Sequence, residues 1–373
     1  MFGRSADRAA ARGETGKVSG VDGGPVGRRW RFFVLAVAVV FLSLTSAGPA
    51  FAAWLPAQSA DGPTLSVFSA VILGLVEGLT EYLPVSSTGH LLVTTDLLGL
   101  ATNDDAETAL DTYAICIQAG AILAVFVLYR QRIKEMLDGL LGRSDDGRRV
   151  LFGVIAAFIP TAIIGLLLVD VVRSRLFGVG PVAAAWLVGG LAIIALTRSG
   201  LLQRAGTELA NISIRQAVLI GLAQTIALWP GVSRSLITIV AGVVVGLSLA
   251  AAVEFSFLLG LATLGAATVV TGLEDGGQLI ELFGWFTPVV GLIVAFAAAL
   301  ASIRWMVSWL QDRSLNVFGF YRIAVGLLAF GLVAAGRRLR HGRDRRRRRR
   351  PSHGSALAQG SRRLLTPALC RSA

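Results

Sequence analysis

Two carboxylates four residues apart, Glu77 and Glu81, lie in a stretch otherwise apolar enough to enter a bilayer. Pro84 then breaks that stretch into the hydroxyl run Ser86, Ser87 and Thr88, followed by His90. At i and i+4 the two acids share one helix face. Anions that close repel, and apolar surroundings penalise both, so either one is protonated or a cation lies between them. Magnesium suits such a place, with calcium as the alternative, because it takes one or two carboxylates plus phosphate oxygens and keeps its remaining waters. A pair of neutral, hydrogen-bonded acids is the competing reading, and the adjoining hydroxyls weigh against it. Among those hydroxyls at least one is expected to cap a helix. A hydroxyl beside the His90 imidazole is also the arrangement of an activated nucleophile.

A second polar island lies in the other half of the chain. The stretch from Trp229 to Thr238 reads WPGVSRSLIT, with Arg234 in the middle of an apolar region just after a Pro-Gly break. Amides exposed at a helix start, the two serines Ser233 and Ser235 and a guanidinium make an anion clamp, since arginine is shaped for bidentate phosphate contacts. Acid pair, metal, hydroxyl, imidazole and arginine together suit phosphoryl transfer from a lipid-borne phosphate, where catalysis is mainly positioning and charge neutralisation.

The elements that must hold these groups are membrane segments. Of 373 residues 54% are hydrophobic and 16% charged, outside the range of ordinary soluble domains. The net charge of +12 comes from Arg337 to Arg350, with ten arginines against Asp344, and from Arg362, Arg363 and Arg371, which leaves residues 1–336 neutral. Basicity therefore belongs to a tail, and nucleic acid is not an expected partner of the core. Cys116 and Cys370 form no metal-ligand pattern.

Residues 1–64 read as an extension: a segment expected to be disordered to about Arg28, then a basic-apolar-small pattern that is a signal peptide or an extra span. Further on, apolar segments lie at roughly 65–83, 112–129, 150–169, 181–197, 212–228, 232–247, 252–272, 284–303 and 318–335, and a span needs about 20 residues. Those ending at Leu83 and Trp229 are stopped by proline or glycine and read as broken or re-entrant helices. Arg130, Arg132, Lys134, Arg143, Arg148 and Arg149 mark one connection as cytoplasmic, and Arg304 and Arg313 mark another. A single last span then carries the arginine tail outside, against the same rule. Sliding the chain by 147 residues aligns Gly74-Leu75 with Gly221-Leu222, Glu77 with Gln224, Val85-Ser86 with Val232-Ser233, and Ser87 with Arg234. Interrupted segments at corresponding positions point to a midplane site at the interface of an inverted repeat.

The stretches EGLTEYLPVSSTGH (Glu77–His90) and PGVSRSLIT (Pro230–Thr238), with IQAGAIL at Ile117–Leu123 and EFSFLL at Glu254–Leu259, closely resemble the signature motifs of the undecaprenyl-diphosphatase family, BacA or UppP, the bacitracin resistance proteins. The resemblance covers roughly residues 65–335. It implies an all-α polytopic membrane protein of the bacterial inner or plasma membrane, with six spanning helices and two re-entrant helix pairs in inverted repeats. The implied activity is hydrolysis of undecaprenyl diphosphate to the monophosphate, which recycles the lipid carrier of cell-wall synthesis. Carried over by position, Glu77 and Glu81 hold the divalent ion. Ser87 attacks or positions water, with His90 as proton carrier. Ser86, Thr88, Ser233, Arg234 and Thr238 hold the diphosphate. The extension and the arginine tail depart from the family. The main rival is a transporter or flippase of polyprenyl phosphates; a lipid phosphatase of the acid-phosphatase type ranks below it, since no second histidine stands at helical-core positions to complete its relay.

Overall fold

The computed structural model describes residues 65–100 and 104–349, so the expectations for residues 1–64 and for Cys370 lie outside the described residues. The chain divides into two units, 1–329 and 330–373, and both polar islands, Glu77–His90 and Trp229–Thr238, belong to the first. Among the described residues there are helices, turns and one isolated bridge, Thr207 to Leu247, and no strand. In order the helices are α1 (Val67–Thr80), α2 (Ser87–Leu97), α3 (Asp104–Leu128), α4 (Arg130–Leu140), α5 (Asp145–Leu176) and α6 (Val179–Arg198). They continue with α7 (Ile214–Gln224), α8 (Arg234–Val244), α9 (Leu249–Glu274), α10 (Gly276–Phe283), α11 (Phe286–Asp312) and α12 (Asn316–Arg349).

Six stretches among the described residues are long and apolar enough to cross a membrane: Thr108–Leu128, Asp145–Leu168, Val179–Arg198, Leu249–Glu274, Phe286–Gln311 and Asn316–Ala334. The protein is therefore a multi-pass membrane protein. Its outer surface fits that reading, since Leu166, Leu167 and Leu273 are 79%, 75% and 83% exposed, a placement that water would penalise and lipid does not. Parity of the six spans puts the connections after α3 and after α11 on one side, as their arginines predict. The segments expected at 65–83, 212–228 and 232–247 are shorter helices. At 1.5 Å per residue, α1 with 14 residues falls short of a hydrocarbon core of about 30 Å.

Those short helices form two pairs, α1 with α2 and α7 with α8, each folded back at its Pro- or Gly-containing break. Helix α1 packs along α11 and α7 along α5, so the first arm of each pair rests on a span from the other half. Small residues let the axes close. A Cβ on Gly74 would come within 2.5 Å of the Gly291 carbonyl oxygen, and one on Gly221, its counterpart 147 residues on, would collide with the Ala157 carbonyl. Both breaks contain a serine in a conformation that L residues rarely adopt. Ser86 has φ 74° and ψ 101°; Ser233 has φ 76° and ψ 111°. The 147-residue repeat thus reappears as matching backbone geometry.

Candidate active site

The first break begins where α1 runs out. Glu81 still donates its N–H to the Glu77 carbonyl at 2.9 Å, and the chain then turns through Tyr82–Val85 to Ser86, which opens α2. This turn aims the Ser87 hydroxyl back at the carboxylate one element earlier, and Ser87 Oγ donates to Glu81 Oε2. The other oxygen, Glu81 Oε1, accepts from Arg234 Nη2 at 3.1 Å. One carboxylate, 7% exposed, therefore joins the hydroxyl of the first break to the guanidinium of the second. Arg234 is held by Nη1 donating to the Ser256 carbonyl at 2.9 Å, and its Cζ lies 5.6 Å from the centre of the Tyr82 ring. A glycine makes room for it: a Cβ on Gly260 would stand 2.7 Å from Arg234 Cζ.

Ser233 caps α8, its Oγ accepting from Leu236 N at 3.3 Å and lying 3.1 Å from Ser235 Oγ. Ser235 donates to the Leu83 carbonyl at 3.0 Å, which ties the second break directly to the first. Thr238 is fully buried between the Arg234 carbonyl at 2.9 Å and Ser256 Oγ at 2.6 Å. That places it beside the arginine rather than on the cavity wall. Ser86, Ser87, Thr88, Ser233 and Arg234 all line one cavity of about 610 Å³ together with Glu81. Its remaining wall is mostly apolar, with Phe158, Leu166, Leu228 and Leu264, and also carries Gln118, Thr161, Gln224, Thr263 and Thr271.

Glu77 lies next to Glu81 but off the larger cavity. It lines a second cavity, of about 320 Å³, together with Asp96 and Asp111. Its side chain is 1% exposed, and its Oε1 has no hydrogen-bond partner in the protein. An orphaned, buried carboxylate oxygen beside a second carboxylate is a donor set that accepts a cation. Among the described residues no group of three or more His, Cys, Asp or Glu side chains forms a metal cage. The pair suits an ion that completes its shell with phosphate oxygens and water.

His90 is brought to the same turn, with both ring nitrogens engaged. Nδ1 stands 2.6 Å from the Ser86 carbonyl and Nε2 2.9 Å from Tyr321 Oη, and the ring stacks on Tyr321 at 5.7 Å between centroids. A carbonyl only accepts, so Nδ1 carries the hydrogen; in the neutral ring Nε2 then accepts from Tyr321. Trp186, 4.8 Å away, donates its Nε1–H to the Val85 carbonyl at 2.9 Å. Tyr321, Trp186, Gln118 and Arg322 do not stand out in the sequence as site residues. Arg322 carries a readable signal all the same, being a lone charge inside the apolar segment 318–335.

A family model described as Bacitracin resistance protein BacA matches residues 70–328, which takes in both breaks. A protein named undecaprenyl-diphosphatase from Sorangium cellulosum is 45% identical over 268 residues, 71% of this chain and 86% of its own length. Undecaprenyl-diphosphatase 1 of Chromobacterium violaceum is 42% identical, covering 71% and 96%. The undecaprenyl-diphosphatase of Aquifex aeolicus is 40% identical, covering 71% and 97%.

Proposed function

The chain belongs to the bacitracin resistance protein BacA family, and from that premise we infer that it is an undecaprenyl-diphosphatase, hydrolysing undecaprenyl diphosphate to undecaprenyl phosphate and inorganic phosphate. This returns the lipid carrier of peptidoglycan synthesis to use. The observation that carries the site reading is the shared carboxylate: Ser87 Oγ on Glu81 Oε2, Arg234 Nη2 on Glu81 Oε1.

In this reading the lipid lies along the apolar wall of the larger cavity and its diphosphate reaches Arg234, Ser233 and the amides at the start of α8. Ser87 Oγ gives its proton to Glu81 and attacks the terminal phosphorus. The Oγ–P bond forms, the bond from phosphorus to the bridging oxygen breaks, and undecaprenyl phosphate leaves with that oxygen and with the proton, which Glu81 gives up to it. Water then attacks the phosphoserine, gives a proton to the Ser87 oxygen as the Oγ–P bond breaks, and phosphate departs. Arg234 neutralises charge on the phosphoryl oxygens throughout. His90, engaged by Ser86 and Tyr321, holds the turn that carries Ser87 and is not assigned the proton. Glu77 and Glu81 would hold a divalent cation, magnesium or calcium, which when bound offsets diphosphate charge. The exposed acids Asp96 and Asp111 at the smaller cavity favour its approach.

The two helix pairs are read as re-entrant in the bacterial inner membrane, meeting near its midplane. A flippase of polyprenyl phosphates is the second reading, favoured by the interlocked halves and the repeated serine geometry. Phosphate release by the purified protein separates the two. The enzyme releases phosphate from the lipid diphosphate in detergent, where no second leaflet exists, and loses that activity in Ser87→Ala; a flippase alone releases none.

A further inference from the structure

Arg322, on the last span, is fully buried, and among the described residues it forms no ion pair. An enclosed guanidinium is costly unless its donors are met. Here the two terminal nitrogens are met by carbonyls, while the buried Nε has no hydrogen-bond partner among the described residues. Nη2 donates to Gly231 O at 2.8 Å and to Ala185 O at 2.9 Å, and Nη1 donates to Pro84 O at 3.3 Å. Pro84 and Gly231 are themselves 147 residues apart, and each stands two residues before the positive-φ serine of its break. One rigid fork thus spans equivalent carbonyls of the two halves and anchors both to α6.

What depends on that span is the meeting of the two breaks on Glu81, since Ser87 comes from one and Arg234 from the other. We propose that Arg322 is a positioning residue for hydrolysis: it fixes the separation of the two breaks so that Ser87 and Arg234 engage the same carboxylate. The proposal rests on the reading of Glu81, Ser87 and Arg234 as the reacting centre. Arg322 is assigned no contact with substrate. The fork has its own slot, because a Cβ on Gly189 would lie 2.8 Å from Arg322 Cζ and 2.9 Å from its Nε. Gly189→Ala therefore displaces the fork while keeping its charge.

The test measures kcat, KM and the melting temperature of the full-length chain in detergent, using undecaprenyl diphosphate, for Arg322→Lys, Gly189→Ala, Arg234→Lys and the double variant Arg322→Lys/Arg234→Lys. A lysine places its three donors on one nitrogen and cannot reproduce the planar fork whose two terminal nitrogens reach the three carbonyls. Both Arg322→Lys and Gly189→Ala are expected to lose kcat by about 10-fold or more, with KM held within about 3-fold and melting preserved. Because Arg322 acts through the register of Arg234, adding Arg322→Lys to Arg234→Lys is expected to cost less than about 3-fold more. Wild-type kcat in both single variants overturns the proposal. So does an undiminished further loss in the double variant, which would make the two arginines independent. If Arg322→Lys fails to fold, Gly189→Ala decides, and unfolding of both reduces Arg322 to scaffold and rejects the proposal. Arg234→Lys with wild-type activity would instead refute the reading of the centre and take the positioning role with it.

Discussion

Ser86 and Ser233 stand 147 residues apart and share one backbone conformation, φ 74° and 76°, and among the described residues they are the only non-glycine positions at positive φ. Each starts the second helix of a short pair and is followed by a residue that engages Glu81: Ser87 after the first, Arg234 after the second. Strain of this kind costs about 1–3 kcal/mol and persists where the surroundings over-determine it, as at reacting centres. A β-branched residue is the worst fit at positive φ. Ser86→Val is expected to lower the melting temperature in detergent and to cut turnover more than Ser86→Gly, which keeps the conformation accessible. Equal activity of the two variants would mean that the turn tolerates a different path.

Gly260 offers a test of Arg234 that leaves the arginine in place. Its Cβ would collide with the guanidinium, whereas one on Gly265, on the same helix, would meet nothing within 4 Å. Gly260→Ala is expected to reduce kcat/KM by about 10²-fold or more, the scale of losing one oriented charge-stabilising donor. Gly265→Ala is expected to behave as wild type. Comparable rates for the two would show that the Arg234 position is not limiting.

Removal of divalent ions tests the acid pair. Chelation with EDTA is expected to abolish phosphate release, and added magnesium or calcium to restore it. Glu77→Gln, which keeps the shape and removes the charge of the orphaned oxygen, is expected to raise the metal concentration for half-maximal rate by about 10-fold or more, a change of at least about 1.4 kcal/mol. Undiminished activity in EDTA would remove the ion from the mechanism.

Truncation after Gly336 separates the arginine tail from the chemistry. Since residues 1–336 are neutral and contain every residue assigned to the site, the shortened chain is expected to keep its hydrolysis rate. A loss of more than about 10-fold in purified, folded protein, about 1.4 kcal/mol of barrier, would assign the tail a part in the reaction.

Much of the site is legible in the sequence because lipid makes polar residues conspicuous. Glu77, Glu81, Ser87 and Arg234 stand out as interruptions of apolar runs, and the structure gathers Ser87 and Arg234 on the Glu81 carboxylate, with Glu77 beside it. The 147-residue offset is visible from a few identities and returns in Ser86 and Ser233. What stays hidden in the sequence is tertiary. Nothing local reveals that Tyr321 occupies His90 Nε2, so a hydroxyl next to an imidazole reads as a nucleophile with its base, while the turn at Ser86 directs Ser87 to Glu81 instead. Thr238 falls in with the clamp by position in its motif, but helical phase turns it toward Ser256. Arg322 escapes notice because its charge precedes an arginine-rich stretch that dominates the basicity of this end of the chain.

The bond between Ser87 and Glu81 carries the account, and its most direct test is the rate of phosphate release from undecaprenyl diphosphate by purified Ser87→Ala with a wild-type melting temperature. The expected result is a fall of about 10³-fold or more, on the scale of removing an attacking group. Release at the wild-type rate would contradict it.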